Sequence, residues 1–241
     1  MSANLFFDLQ KKVFDANIAL FNSGLVKGSF GNVSGIDREH KVVAIKPSGI
    51  AYDQLTPDKI SLVDLKGKTL SGCLRPSTDT ETHLVLYRNF LKIQGVAHTH
   101  STYATAWAQA DLEIPCLGTT HADFYPFSIP CSEVLSDEAI RGSYEYETGL
   151  QIVKTLDAHS EILPTMILVG GHGPFTWGNS PDEAVQHSIM LEEIAKMAFL
   201  TLSLSPGKVP LKHVLVEKHF NRKHGKQAYY GQPGKDIDES K

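Results

Sequence analysis

The sequence GVAHTHS, residues 95–101, places His98 and His100 on either side of a threonine at the end of an apolar run. The run from Ile93 to Ala97 predicts a short buried strand, and residues i and i+2 of a strand point to the same side. The two imidazoles would therefore face one way, close to each other. Two other interpretations remain open: exposed histidines on a surface strand, and core histidines that bond to backbone carbonyls.

The segments around this strand alternate between strand and helix patterns. Apolar and β-branched patterns predict strands at residues 41–47 and 165–170, and a hairpin at 57–70 with its turn near Lys66–Gly67. Helical spacing and capping signals mark residues 1–22, 79–92, 101–110, 136–156 (one helix or a pair) and 181–204. Mixed strands and helices without strict βαβ alternation predict an α+β or three-layer α/β domain.

The length and composition are those of one globular unit. The chain has 241 residues, which is long enough to bury a sizeable hydrophobic core. Hydrophobic residues make up 41% and charged residues 21%, as is usual for a globular protein. No repeat or linker divides it, so we expect a single domain at residues 1–232 and a polar, disordered tail at 233–241. The net charge of −4 argues against non-specific nucleic-acid binding, which needs a basic surface. No apolar run approaches the length of a membrane span, so no membrane partner is expected.

The cysteines and the N-terminus predict the compartment. Cys73, Cys116 and Cys131 are an odd number without CxxC spacing, which favours reduced thiols over a disulfide framework. The first 21 residues are amphipathic, contain acids and lack the basic start and cleavage site of a signal peptide. We therefore expect a cytoplasmic protein.

A third histidine, His172, follows the predicted strand at 165–170 in a glycine-rich turn. A histidine at such a turn lies at the rim of a sheet. If this rim also holds His98 and His100, three neutral imidazoles with an open fourth position would form a catalytic zinc site. The alternative, three separate structural histidines, stays open because spacing alone does not establish convergence.

Three small polar segments predict a phosphate site. GNVS (31–34), KPSG (46–49) and PSTD (76–79) offer hydroxyls, glycines or a lysine at the boundaries of predicted elements. Backbone N–H groups at such turns suit a phosphate, as does the N-terminus of the helix that Thr78 or Asp79 would cap. Ordinary turn chemistry is the alternative for each segment.

Two further segments carry acid–base candidates. TTHADFYPF (119–127) contains Asp123 in a weakly charged stretch, where the carboxylate would be either a base or part of an Asx turn. RKHGKQAYYGQ (222–232) places Tyr229 and Tyr230 before a glycine. A tyrosine there would be packing or solvent-exposed unless the segment reaches a neighbouring subunit.

Taken together, these segments resemble the class II aldolase and epimerase family, and within it the 4-epimerases of pentulose phosphates. The resemblance runs from about residue 5 to 232. It rests on GNVSG, IKPSG, PSTDTETH, GVAHTHSTYATAWAQA, GTTHADFY, IPC, GHGPFTWG and HFNRKHGKQAYYGQ, in this order. It implies a three-layer α/β/α domain with a central, mostly antiparallel or mixed sheet flanked by helices.

The resemblance also implies the site residues. A divalent metal, zinc or else manganese, would be held by Asp79, His98, His100 and His172. A phosphate pocket would comprise Asn32, Lys46, Ser48, Gly49, Ser77 and Thr78. Asp123 and, from the adjacent subunit, Tyr230 would transfer protons, and His219 would face the site. Such enzymes are homotetramers with active sites between subunits.

The activity implied is an isomerase reaction of pentose catabolism, such as L-arabinose degradation. L-Ribulose 5-phosphate would become D-xylulose 5-phosphate by C3–C4 cleavage and re-addition. One alternative is a class II aldolase of the fuculose- or rhamnulose-phosphate type, in which a glutamate stands where this chain has Asp79. The other is a non-catalytic, adducin-like binding domain, against which the intact histidines argue.

Overall fold

The computed structural model describes residues 5–70, 73–157, 162–225 and 228–229. In these residues seven strands form one sheet in the order β3-β2-β1-β4-β7-β6-β5. All neighbouring strands are antiparallel except β5 and β6, which are parallel. The strands are β1 (Asn32–Asp37), β2 (Val42–Ile45), β3 (Ser61–Asp64), β4 (Gly95–His98), β5 (Cys131–Ser132), β6 (Met166–Val169) and β7 (Gly173–Gly178). The expectation of a mostly antiparallel or mixed sheet is confirmed.

Helices cover both faces of this sheet, which makes the three-layer arrangement. Helices α2 and α6 pack against each other on one face, and α1, α3 and α7 pack together on the other. The described helices are α1 (Phe7–Asn22), α2 (Thr80–Asn89), α3 (Thr102–Gln109), α4 (Thr119–Ala122), α5 (Asp137–Arg141), α6 (Tyr144–Asp157), α7 (Pro181–Leu204) and α8 (His213–His224). Two short 3₁₀ helices, Tyr52–Gln54 and Pro57–Lys59, precede β3.

The alternation of side chains along β4 decides which face receives its histidine. Val96 packs with residues of α2 and α6, whereas Ala97 packs with residues of α1 and α7. Successive strand residues point to opposite faces, so His98 returns to the face of Val96. The apolar run buries the strand on both faces, and His98 is the last residue of this central strand.

Local signals explain where several elements begin and end. Ser180 caps α7 by accepting a hydrogen bond from the Glu183 N–H at 3.1 Å, and Pro181 follows at the first helical position. The predicted segment 136–156 is a helix pair, α5 and α6, separated at Gly142. Helix α8 has no counterpart among the predicted elements because, of its side chains, only Val216 is buried.

A carboxylate from α7 fixes the start of α3. The Glu192 carboxylate accepts hydrogen bonds from the backbone N–H groups of Tyr103 and Ala104, both at 2.9 Å. These N–H groups belong to the first turn of a helix and have no partner within it. This contact positions the loop that joins β4 to α3 and carries His100.

Candidate metal centre

His98, His100 and His172 lie together at the end of the central strand of the sheet, β4. His98 ends β4, His100 follows in the next loop, and His172 lies in the turn between β6 and β7. Strands β4 and β7 are hydrogen-bonded neighbours, with His98 opposite Phe175, so the turn comes to the end of β4. The three ring centroids are 4.8–5.1 Å apart, and one ligand atom of each ring lies within 4.8 Å of the others.

The donor set fits a divalent cation. The Nε2 atoms of His98 and His100 are 3.1 Å apart, close to the ~3.4 Å between ligands of a tetrahedral site with bonds of roughly 2.0–2.1 Å. His98 Nδ1 donates to the Pro174 carbonyl at 2.9 Å, because a carbonyl can only accept. This hydrogen bond leaves the Nε2 lone pair of His98 for a metal, as in many protein metal sites.

Burial keeps two of these imidazoles in the neutral form that a metal requires. The pKa of His172 falls to about 4, because burial and then the neighbouring His98 and His100 disfavour its charged form. Burial and His98 also lower the pKa of His100. Near neutral pH both rings are therefore uncharged and able to bind a metal. Gly171 precedes His172 with φ +67°, a turn conformation that glycine adopts without strain.

Asp79 lies beside this cluster but outside the group of mutually close ligand atoms, which in the described residues comprises the three histidines. It occupies the N-cap position of α2, yet its side chain makes no capping hydrogen bond. Instead, its carboxylate accepts from Asn32 Nδ2 at 2.6 Å. Burial opposes ionisation, but His98, His83 and the Asn32 hydrogen bond outweigh it and lower the Asp79 pKa. A carboxylate anion therefore stands next to the three rings.

The six residues expected to bind phosphate all line one cavity of about 270 Å³, which also reaches Asp79. Two backbone hydrogen bonds, Ser48 N–H to Arg75 O and Ser77 N–H to Lys46 O, tie its loops together. Gly49 turns the chain with φ +70°. The lining residues are Ser29, Phe30, Gly31, Asn32, Lys46, Pro47, Ser48, Gly49, Ser77, Thr78 and Asp79.

Lys46 and Asn32 have distinct positions in this cavity. The Lys46 ammonium donates to the Ser29 carbonyl at 3.1 Å and lies 4.9 Å above the Tyr52 ring. Burial lowers its pKa to about 8, which leaves it mostly charged at neutral pH. Asn32 Nδ2 donates to both Ser77 and Asp79, so its amide connects the cavity to the metal centre.

Asp123 lies in a second cluster, between α4 and α8. Arg222 binds its carboxylate through both Nε (3.0 Å) and Nη2 (2.6 Å), and His219 Nδ1 lies 3.1 Å from Oδ1. Lys223 approaches to 3.8 Å. Burial raises the Asp123 pKa, but the hydrogen bonds from Arg222 and His219 and the Lys223 charge together hold it below its usual value.

The structure brings together the predicted metal and phosphate residues but not the predicted proton-transfer residues. In the described ranges, no hydrogen bond, ion pair or ring contact joins Asp123 or His219 to the three histidines. Tyr230 and the tail at 233–241 lie outside the described residues. Sequence reasoning missed Arg222, although it stands in the quoted HFNRKHG segment, and Tyr144, whose hydroxyl lies 3.3 Å from His172 Nδ1.

The contacts of the Asp123 carboxylate are expected to stabilise the fold. We expect Asp123→Asn to lower the free energy of unfolding by about 1–3 kcal/mol at pH 7, because the carboxylate accepts charged hydrogen bonds while shielded from water. The folded-state pKa is depressed, so this contribution is present above the unfolded-state value near ~3.9 and is lost as pH falls through the folded-state pKa. Denaturant titrations at pH 7 and at ~pH 3 would measure the free energy of unfolding of both proteins. The difference between the unsubstituted protein and Asp123→Asn should be smaller at ~pH 3 than at pH 7.

Asp137→Asn is the matched control for this prediction. Asp137 pairs with Arg141 at 2.9 Å, but both side chains are more than 70% exposed. Exposed pairs contribute about 0–1 kcal/mol, so this variant should unfold nearly like the unsubstituted protein. If Asp123→Asn lowered the free energy of unfolding equally at both pH values, the expected dependence on ionisation of the Asp123 carboxylate would be wrong.

Comparisons with known proteins identify the family of this chain. The family model described as Class II Aldolase and Adducin N-terminal domain matches residues 11–199. L-Ribulose-5-phosphate 4-epimerase UlaF of Salmonella paratyphi A and that of Salmonella typhi are each 49% identical over 224 residues, which are 93% of this chain and 98% of the relative. None of the helices in the described ranges combines the length and hydrophobicity of a membrane span.

Solved structures show the same fold at lower identity. An L-fuculose 1-phosphate aldolase superimposes with a TM-score of 0.73 at 22% identity, covering 90% of this chain and 97% of that one. The same enzyme from Glaciozyma antarctica PI12 gives 0.73 at 21%, covering 92% and 84%. With a family model over most of the chain and relatives at 49% identity, the chain belongs to the class II aldolase and adducin N-terminal domain family.

Proposed function

We propose that this protein is an isomerase that interconverts L-ribulose 5-phosphate and D-xylulose 5-phosphate at C4, with a divalent metal that is zinc. The observation that carries the proposal is the convergence of three histidines, an adjacent carboxylate and a cavity that contains Lys46 at the end of the central strand β4. The substrate is proposed from the relatives at 49% identity, which are named L-ribulose-5-phosphate 4-epimerase. The substrate's phosphate would occupy the cavity lined by Lys46.

Inversion at C4 requires carbon–carbon cleavage. The C4 hydrogen is not adjacent to the C2 carbonyl, so simple deprotonation there does not give a stabilised carbanion. Removing the C4 hydroxyl proton instead breaks the C3–C4 bond, leaving glycolaldehyde phosphate and a three-carbon enediolate. The aldehyde then presents its other face, the C3–C4 bond re-forms, and a proton returns to the C4 oxygen.

The chain's residues would bind, orient and move protons in this reaction. When bound, the metal would supply Lewis acidity at the C2 and C3 oxygens. Asn32 would hold Asp79 next to that position, and the phosphate pocket would retain the aldehyde fragment while it turns. Two acid–base groups on opposite faces are needed, and Asp123 and Tyr230 are proposed for them, with His219 beside Asp123.

The proposed assembly is a homotetramer with active sites between subunits. Asp123 and His219 make no contact with the three histidines within the described part of one chain. An acid–base group must reach the reacting hydroxyl within hydrogen-bond distance. A neighbouring copy would therefore complete the site, supplying Tyr230 to the metal centre. The proposed compartment is the cytoplasm, consistent with the unpaired state of Cys73, Cys116 and Cys131.

Lys46 tests the phosphate assignment. We expect Lys46→Met to raise the KM for L-ribulose 5-phosphate by about 10- to 100-fold, because a charge-assisted hydrogen bond to phosphate contributes about 1.5–3 kcal/mol. Steady-state kinetics would measure it, with Lys66→Met on the exposed hairpin turn as the control. An unchanged KM would remove Lys46 from the phosphate site.

The function itself is tested by supplying L-ribulose 5-phosphate and detecting D-xylulose 5-phosphate with a coupled enzyme, with and without a chelator. We expect formation of product, its loss with chelator and its recovery on adding zinc. Accumulation of separate cleavage fragments instead would identify the aldolase alternative. No turnover and no bound metal would favour the adducin-like alternative.

A further inference from the structure

A buried histidine beside the metal centre has no role in the reaction just described. His83 lies on α2, one helical turn after Asp79, and is completely buried. Its Nδ1 is 2.7 Å from the Ser34 hydroxyl, but its Nε2 has no hydrogen-bond partner within the described ranges. A polar nitrogen shielded from water is normally satisfied, so this one indicates a partner in the working enzyme.

The hydrogen-bond chain around Ser34 determines which nitrogen of His83 carries the proton. The Ser34 hydroxyl lies 2.8 Å from the Tyr87 hydroxyl and has one proton to donate. If Tyr87 donates to Ser34 and Ser34 donates to His83 Nδ1, every hydroxyl proton has an acceptor. The reverse order leaves the Tyr87 proton without an acceptor in the described residues. His83 therefore carries its hydrogen on Nε2 and can donate there.

The position of His83 directs this donor toward the metal centre. Ser34 lies two residues after Asn32 on the same face of β1, and Asn32 is paired with His98 across the strands. The Phe175 ring packs against both histidines, with centroids 6.0 Å from His83 and 4.1 Å from His98. Asp79 and His98 are the two ionisable groups whose charges act on His83.

We propose that His83 is a positioning residue for Asp79: in the working enzyme, His83 donates through Nε2, across one buried water, to the Asp79 carboxylate. Asn32 holds Oδ2 of that carboxylate from the β1 side. His83 holds it from the helix side, so the anion cannot rotate away from the three imidazoles. This inference rests on the proposed metal centre.

Two substitutions separate the nitrogens of His83. Asparagine places a polar atom near Nδ1 and can keep the Ser34 contact, whereas glutamine places one near Nε2. In zinc titrations of chelator-stripped protein, His83→Asn should weaken zinc binding by about 10- to 100-fold. His83→Gln should stay within about threefold of the unsubstituted protein, because it retains the group that faces Asp79.

A control and a double variant make the test specific. His121→Asn removes another buried histidine, whose Nε2 bonds to the Phe127 carbonyl, and should leave zinc affinity unchanged. If His83 acts through Asp79, adding His83→Asn to Asp79→Asn should weaken zinc binding little further. Thermal unfolding of the metal-free variants would separate loss of fold from loss of affinity.

The outcomes distinguish this inference from the proposed function. If the unsubstituted protein binds no zinc, the proposed metal centre fails. If it binds zinc and His83→Asn binds equally well, or if the effects of His83→Asn and Asp79→Asn are fully additive, the positioning role is wrong while the proposed function stands. Weakening by His83→Gln but not by His83→Asn would make the Ser34 contact the important one and would also overturn the inference.

Discussion

His98→Asn should lose bound metal and activity together, with metal affinity reduced by more than about 100-fold. His98 is only 3% exposed, and the hydrogen bond from its Nδ1 to the Pro174 carbonyl holds the ring so that Nε2 faces His100. Asparagine is too short to present a nitrogen at the same point. Losing one of the three proposed ligands would remove a bond to the metal, which is a larger change than the loss of a supporting hydrogen bond, for which about 10- to 100-fold is usual.

Metal content by elemental analysis and turnover by the coupled assay would be measured on the same preparation. His40→Asn is the matched control, because His40 is exposed and pairs with Asp37 at 2.9 Å, away from the cluster. It should retain full metal and full rate. If His98→Asn kept stoichiometric zinc, His98 would not be a ligand, and the proposed function would lose its main observation.

Tyr230→Phe should lower kcat by about 10²- to 10⁴-fold, the range that a positioned acid or base contributes, without loss of metal. The phenol would donate or accept the C4 hydroxyl proton on one face of the aldehyde. Phenylalanine keeps the ring and removes only the titrating oxygen, so binding should change little. Because an ordinary tyrosine titrates near pH ~10, a nearby cation must assist it when it acts as a base.

Tyr229→Phe is the adjacent control. The Tyr229 side chain is 70% exposed, and the change removes the same atom one residue away. A normal kcat in Tyr230→Phe, or an equal loss in both variants, would refute the assignment. Mixing inactive Tyr230→Phe with inactive Asp123→Asn provides a further test of sites between subunits, since reassociated hybrids would regain activity if each site combines residues of two copies.

Regular local patterns were sufficient for much of the fold. Helix α7 was predicted at its observed bounds because its serine cap, its proline and its apolar spacing all lie within the helix itself. Strand β4 was predicted because its apolar run is buried on both faces. Helix α8 escaped prediction because it buries little apolar surface, and its contacts, such as Arg222 with Asp123, join residues that are distant in sequence.

Parts of the candidate site were likewise predicted from local motifs, and other parts were not. Single motifs pointed to His98 with His100, and to the loops around Lys46 and Ser77, since each motif needs only its own backbone. The sequence did not predict the hydrogen bond from Asn32 to Asp79 or the burial of His83 against Ser34. Both depend on how α2 packs across β1.

The sequence by itself determined the residue types, several of the helices and strands and the resemblance to a family, because these are encoded within short segments. Only the tertiary structure decided that the turn carrying His172 meets the end of β4, since β7 and β4 pair across a long separation in the chain. It also decided that Asp123 contacts Arg222 and His219 rather than His98, His100 or His172. Metal coordination and proton transfer act over a few ångströms, and sequence motifs do not specify distances of that kind between separate segments.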